Sequence, residues 1–250
     1  MTDLNDKTVI IIPIRMSSTR LPGKFHADIE GKEMILHVID RARESKFTNI
    51  FVACDHRDHF DLVNSYGAHA IMTDIDHQSG SDRSFEALTI LDPNKKFEYI
   101  INLQGDMPFF DPKTIADVAI ELDKDPAADI ATMAALIDDE DDVIDPNVVK
   151  VVFGRNKHAL YFSRLPIPYP MSGVKTDHYY HVGIYAYRRA AIEKFVSLPS
   201  GKLEMTEKLE QLRAMENDMR IRVGISKEIP ISVDVPNDLT YAREYAKERI

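Results

Sequence analysis

Cysteine is almost missing from this sequence: Cys54 is the single one in 250 residues. That excludes an intramolecular disulfide and a cysteine cluster for zinc, and a reducing cytoplasm is the expected setting. Basic charge is also in short supply. With 31 lysines and arginines against 41 acidic residues the net charge is −10, which argues against a nucleic-acid binder, because phosphate backbones demand a basic face. No apolar run approaches membrane-spanning length, and the polar start MTDLNDKT lacks the apolar core of a signal peptide. A soluble protein, not inserted in a membrane and not exported by a visible signal, is the expectation. Repeats, low-complexity tracts and obvious linkers are absent as well. A composition 44% hydrophobic and 29% charged calls for neither disorder nor a fibrous fold. The length allows one sizeable domain or two small ones, and the reading favours a single domain over residues 1–250.

What is present is an alternation. Apolar, β-rich runs recur at VIIIPI from Val9, NIFVACD from Asn49, AHAIMT from Ala68 and YIINLQGD from Tyr99. Between them MILHVIDRARES places Ile35, Val38 and Ile39 on one helical face, while HFDLVNSYG and SFEALTIL read as further helices. Strands alternating with helices imply an α/β fold with a mostly parallel central sheet covered on both faces. From about residue 130 to 190, DIATMAALI, NVVKVVFG, ALYFSRLPIP and HYYHVGIYAYR read as an antiparallel, strand-rich extension suited to a subunit contact. The acidic run IDDEDDVIDP reads as a solvated loop. LEMTEKLEQLRAMEN reads as one helix with Met205, Leu209 and Leu212 as its apolar stripe, followed by a strand at RIRVGI and a terminal helix.

In parallel sheets ligands bind beyond the carboxyl ends of the strands, so three loops should converge: RMSSTRLPGK, TDIDHQSGSDR and QGDMP. The first puts Arg15, Arg20, Lys24 and the hydroxyls of Ser17, Ser18 and Thr19 directly after a buried strand. That set suits a triphosphate held by charge-assisted hydrogen bonds. It is not the nucleotide P-loop, since Phe25 follows Lys24 where that pattern needs Ser or Thr. In the second loop Gly80 allows close backbone approach to a ligand, and Ser79 or Ser81 reads equally as a helix cap. Asp106, just past the fourth strand, is placed either to hold Mg²⁺ with phosphate oxygens or to shape a turn.

The segment IPIRMSSTRLPGK resembles the N-terminal signature of the 3-deoxy-D-manno-octulosonate cytidylyltransferases, the CMP-KDO synthetases. The blocks DHQSGSDR, NLQGDMP, ALYFSR, HVGIYAYR, EKLEQLR and VDVPNDL resemble that family's blocks in its order, over nearly the whole chain. The resemblance implies a single Rossmann-like nucleotidyltransferase domain. It implies that CTP and an eight-carbon acid sugar give a CMP-sugar and pyrophosphate by in-line attack of the anomeric hydroxyl, for bacterial lipopolysaccharide. A cytoplasmic homodimer using Mg²⁺ is implied as well.

The resemblance also implies site residues. Arg15, Lys24, Thr73, Ser79, Gly80 and Gln104 would contact the nucleotide, and Lys24, Arg20, Asp106 and Asp234 would act in catalysis. The metal would lie on Asp106 and Asp234. Arg20, Arg164, His181, Tyr185, Glu210 and Gln211 would hold the sugar. Period-two geometry does place His181 and Tyr185 on one strand face. Arg164 reads equally as a partner for surface acids, and Glu210 and Gln211 as solvent-facing. One departure stands out: Met107 occupies the position where the family commonly has Glu. Alternatives are the same chemistry on an 8-amino-octulosonate or another acid sugar, and a CTP-binding protein without turnover.

Overall fold

The computed structural model describes residues 2–18, 20–171 and 173–248. Thr19, one of the hydroxyls of the first loop, lies outside the described residues. Contacts divide the chain into two compact units, Met1–Ile115 with Pro230–Ile250, and Ala116–Ile229.

The first unit runs α1 (Thr2–Asp6), β1 (Thr8–Pro13), a hairpin of β2 (Asp28–Ile29) and β3 (Lys32–Glu33), α2 (Met34–Glu44), β4 (Ile50–Cys54), α3 (Arg57–Ser65), β5 (His69–Met72), α4 (Gly80–Leu91) and β6 (Tyr99–Asn102). Its sheet has the order β5–β4–β1–β6, with every pair parallel. All of β1 is buried, as a strand covered on both faces must be, and its apolar run needs no polar alternation. Ile35, Val38 and Ile39 of α2 are fully buried, so the helical face read from the sequence is the packed one. Cys54 is buried too. Burial, then the neighbouring Asp55, push its thiol up to about 12, which leaves it inert.

The strand order reverses at β1. Successive strands β4 and β5 lie to one side and β6 to the other, so the loops leaving β1 and β6 flank a topological switch point, where open α/β sheets bind ligands.

After α5 (Lys113–Lys124) the second unit contains β7 (Ile130–Leu136), α6 (Glu140–Ile144), β8 (Lys150–Phe153), β9 (Ala159–Ser163), β10 (Tyr179–Arg188), α7 (Arg189–Ser197), α8 (Lys202–Glu207), α9 (Gln211–Glu216) and β11 (Ile221–Ile225). β11 runs parallel to β7, whereas β7 with β10, β10 with β8, and β8 with β9 are antiparallel. Two segments differ from the sequence expectation. The acidic run is not all loop, because Asp139 caps the short α6 by accepting from the Asp141 N–H. The helix expected at 203–217 is broken in two at Lys208, whose φ of 55° ends α8 in the left-handed region. Met205 is consequently 54% exposed instead of continuing the buried stripe of Leu209 and Leu212.

The chain then returns to the first unit. Phe109 and Ile231 form an antiparallel bridge, with the Ile231 N–H donating to Phe109 O at 3.0 Å and the Val233 N–H to Asp106 O at 2.8 Å. α10 (Pro236–Lys247) follows.

Candidate active site

The returning segment decides the geometry of the first unit's site. By pairing with residues 106–109 it delivers Asp234 to the loop after β6, 128 positions beyond Asp106 in sequence. Asp238 fixes that delivery, its carboxylate accepting from the N–H groups of Asp234 at 2.8 Å and Val235 at 2.9 Å as α10 begins. The loop after β1 supplies the cation. Gly23, at φ +68°, makes the left-handed turn that starts a 3₁₀ turn over Lys24–His26 and an L side chain rarely tolerates that conformation.

Lys24 then reaches inward. Its Nζ donates to Asp106 Oδ2 at 2.8 Å, to Asp234 Oδ1 at 3.0 Å and to the Val233 carbonyl at 3.4 Å. Arg20, from the same loop, pairs with the other oxygen of Asp234 at 3.2 Å. Burial works against the ammonium charge, but the Asp106 and then the Asp234 carboxylates outweigh it and hold the Lys24 pKa above its ordinary value. Lys24 is therefore a fixed positive charge.

Gly105 lets these strands of chain meet. A Cβ there would come 2.5 Å from Ile14 Cγ2 and 3.0 Å from Phe25 Cε1, tying the loop of Asp106 to that of Lys24 by close approach. Gly105→Ala is expected to cost about 1–3 kcal/mol of stability through overpacking, measured by denaturant unfolding.

The other expected nucleotide residues divide by surroundings. Arg15 is exposed. Gly80 packs on Pro13 and Gln104, a Cβ there coming 3.3 Å from Pro13 Cγ and 3.9 Å from Gln104 Oε1, so these two residues of different loops are neighbours. Ser79 caps α4, its hydroxyl accepting from the Asp82 N–H at 3.1 Å. Thr73 is engaged inside: its hydroxyl donates to Cys54 O at 3.1 Å and accepts from Arg83 at 2.6 Å. Both side chains thus shape the second loop.

Asp55, which the sequence reading does not single out, anchors this region. It accepts from the Met16 N–H at 2.9 Å and pairs with Arg83 at 3.3 Å. Both side chains of that pair are nearly solvent-free, at 2% and 3% exposure. The signal in the sequence was a carboxylate directly after the buried strand IFVAC.

The second unit contains the other expected sugar residues, Arg20 lying in the first. His181 is buried, with its ring 5.4 Å from that of Tyr185 and its Nδ1 3.5 Å from Gln211 Nε2. Burial pushes its pKa down to about 3, so the imidazole is neutral, and burial likewise raises that of Tyr185. Gln211 is buried, contrary to a solvent-facing reading, and Glu210 is half-buried beside it. Arg164 is taken up by backbone, donating to Glu207 O at 2.6 Å, Pro146 O at 2.8 Å and Lys208 O at 3.4 Å. Glu207 completes this clamp by accepting from the Arg164 N–H and the Ser163 hydroxyl.

Asp106 and Asp234 can also hold a metal. The two carboxylates and the Val233 carbonyl form an all-oxygen donor set, which suits a hard cation such as Mg²⁺, a metal that takes one or two carboxylates and completes its shell with phosphate and water. Met107, where a further acid would sit by the family's habit, is 3% exposed and packs as core.

A cytidylyltransferase family model matches residues 9–221. A 3-deoxy-manno-octulosonate cytidylyltransferase from Paramagnetospirillum magneticum is 48% identical over 96% of this chain and 97% of its own length. One from Rhizobium etli is 48% identical over 100% and 99%. A solved CMP:2-keto-3-deoxy-manno-octonic acid synthetase complexed with CTP superposes with a TM-score of 0.90 at 39% identity, covering 98% of this chain and all of that one. At 13% identity and a TM-score of 0.63, a 4-diphosphocytidyl-2C-methyl-D-erythritol synthase from Anaerococcus prevotii, covering 97% of this chain and 99% of its own, shares the fold alone. By this near full-length match the chain belongs to the cytidylyltransferase family, among the 3-deoxy-manno-octulosonate cytidylyltransferases.

Proposed function

We propose that this chain transfers CMP from CTP to the anomeric hydroxyl of 3-deoxy-D-manno-octulosonate, giving CMP-KDO and pyrophosphate for lipopolysaccharide biosynthesis. One observation carries the reading. The backbone bridge at residues 109 and 231 brings Asp106 and Asp234 to a single buried ammonium, an arrangement that a protein merely binding nucleotide would not require.

In this reading Arg15, Lys24 and Arg20 neutralise the triphosphate, the arginines by gripping two oxygens each and Lys24 as a point charge. Gly80 and Gln104 contact the nucleotide, while Thr73 and Ser79 hold the loop that meets it. Asp106 and Asp234 hold Mg²⁺, which when bound would lower the pKa of the attacking hydroxyl and offset the leaving charge. Alignment and charge neutralisation are the protein's main tasks in such a transfer. His181, Tyr185, Glu210 and Gln211 hold the sugar, with Arg20, and Arg164 supports them through the backbone it clamps. The exposed apolar residues Leu160, Leu165, Tyr169, Met171 and Val174 of the strand-rich region support a homodimer contact there. No helix among the described residues is long and apolar enough to cross a membrane, and a cytoplasmic site of action fits that.

The test is pyrophosphate release across the four nucleoside triphosphates and several acid sugars, with and without Mg²⁺. Release is expected only with CTP, the octulosonate and Mg²⁺ together. Tight CTP binding without release from verified substrates would overturn the catalytic reading, and preference for an 8-amino sugar would overturn the choice of acceptor.

A further inference from the structure

Thr132 lies fully buried in β7, opposite a bulge in β10. Pairing passes from Val182 with Met133 directly to Tyr185 with Thr132, so Gly183 and Ile184 are two extra residues on one strand. An even number of extra residues preserves side-chain parity, and His181 and Tyr185 stay on one face. The bulge also turns two backbone carbonyls toward the Thr132 hydroxyl. Its Oγ1 is 3.1 Å from Val182 O and 2.8 Å from Ile184 O, and its third neighbour is His181 Nε2 at 2.9 Å.

A hydroxyl has one proton and two lone pairs. Two of these three neighbours are carbonyl oxygens that can only accept, so the proton goes to them, toward the nearer Ile184 O. What the hydroxyl then offers His181 is a lone pair. Were Nε2 bare, three acceptors would compete for one proton in a site sealed from water, where unsatisfied polar groups are costly. His181 Nε2 must therefore carry the proton and donate it. In a neutral imidazole Nδ1 is then bare, and the group facing it is the Gln211 amide nitrogen at 3.5 Å. That nitrogen donates, and the amide oxygen is directed away from His181.

We infer that Thr132 is a positioning residue for sugar recognition: its hydroxyl holds His181 as the Nε2–H tautomer, and His181 in turn orients the Gln211 amide so that its oxygen is presented as an acceptor to a sugar hydroxyl. The inference rests on the reading of His181 and Gln211 as sugar-binding residues. The sequence hides the role, because a threonine inside IATMAAL reads as an ordinary strand residue.

Nitrogen NMR of the full-length protein labelled with ¹⁵N-histidine tests it, with His181 assigned by the signals lost in His181→Gln. Wild type should show a protonated Nε2 and a bare Nδ1 near neutral pH. A protonated Nδ1 would overturn the inference on this spectrum alone, whether or not any variant folds. Thr132→Val should shift His181 toward the other tautomer and raise KM for the acid sugar about tenfold, the effect of one lost hydrogen bond, leaving KM for CTP unchanged. Thr132→Ser should restore both. If Thr132→Val raises the sugar KM while the His181 spectrum is unmoved, the tautomer mechanism is wrong and the sugar-site reading survives. If the tautomer moves and the sugar KM does not, the assignment of His181 and Gln211 to the sugar falls, and this inference with it.

Discussion

Asp106→Asn is expected to lower turnover about a thousandfold, the scale of removing one preorganised electrostatic contact to a developing charge, while the protein stays folded. Asp234→Asn should fall by a similar factor. Each substitution removes a carboxylate that Lys24 holds, at 2.8 Å for Asp106 and 3.0 Å for Asp234, and each leaves the second carboxylate to pair with the ammonium. The fold loses little, because one opposite charge remains beside Lys24 and both Asp positions keep some solvent. In the proposed reading the chemistry loses a ligand of Mg²⁺. Residues that act as a unit do not add, so the double variant should be scarcely slower than either single one. Pyrophosphate release, with thermal unfolding as the control for folding, measures this. If the two single effects multiply in the double variant, the carboxylates act separately and the shared metal site is wrong.

Arg83→Met should have the largest effect on stability. It strands Asp55, whose side chain is 2% exposed and would be left with the Met16 N–H as its hydrogen-bond donor. Breaking a buried pair by removing one partner costs about 3–5 kcal/mol. For a chain of this size that corresponds to a melting temperature lower by roughly 6–20 °C. Pairing it with Asp55→Leu should recover much of the loss, since an apolar replacement of both partners leaves no stranded charge. Thermal melts of the single and double variants check the sign and the size. A double variant as unstable as Arg83→Met alone would show that packing, and not the buried charge, sets the cost.

The parallel core could be read because β1, β4 and β6 are apolar runs with helical periodicity between them, and the rule about strand ends then pointed to the loops of Lys24 and Asp106. Asp234 came from the resemblance, and its meeting with Asp106 depends on a backbone bridge that no local pattern announces. Asp55 escaped because a single acid after a strand looks like a turn residue; its importance lies in Met16 and Arg83, 39 and 28 positions away. The break at Lys208 was hidden for a related reason. EKLEQLR has good helix propensity, and the competing interaction is tertiary, Arg164 drawing on the carbonyls of Glu207 and Lys208. α5 is different, since Ile115, Val118, Ala119 and Leu122 are all buried at helical spacing. That signal was there to be read.

The bridge at Phe109 and Ile231 also makes the meeting of Asp106 and Asp234 a late, long-range event, since it joins positions 122 apart. During synthesis Lys24 and Asp106 emerge long before the segment that carries Asp234, so a nascent chain has only one of the two acids. In the proposed reading it lacks one of the two metal ligands until residues 230–234 have been added and docked.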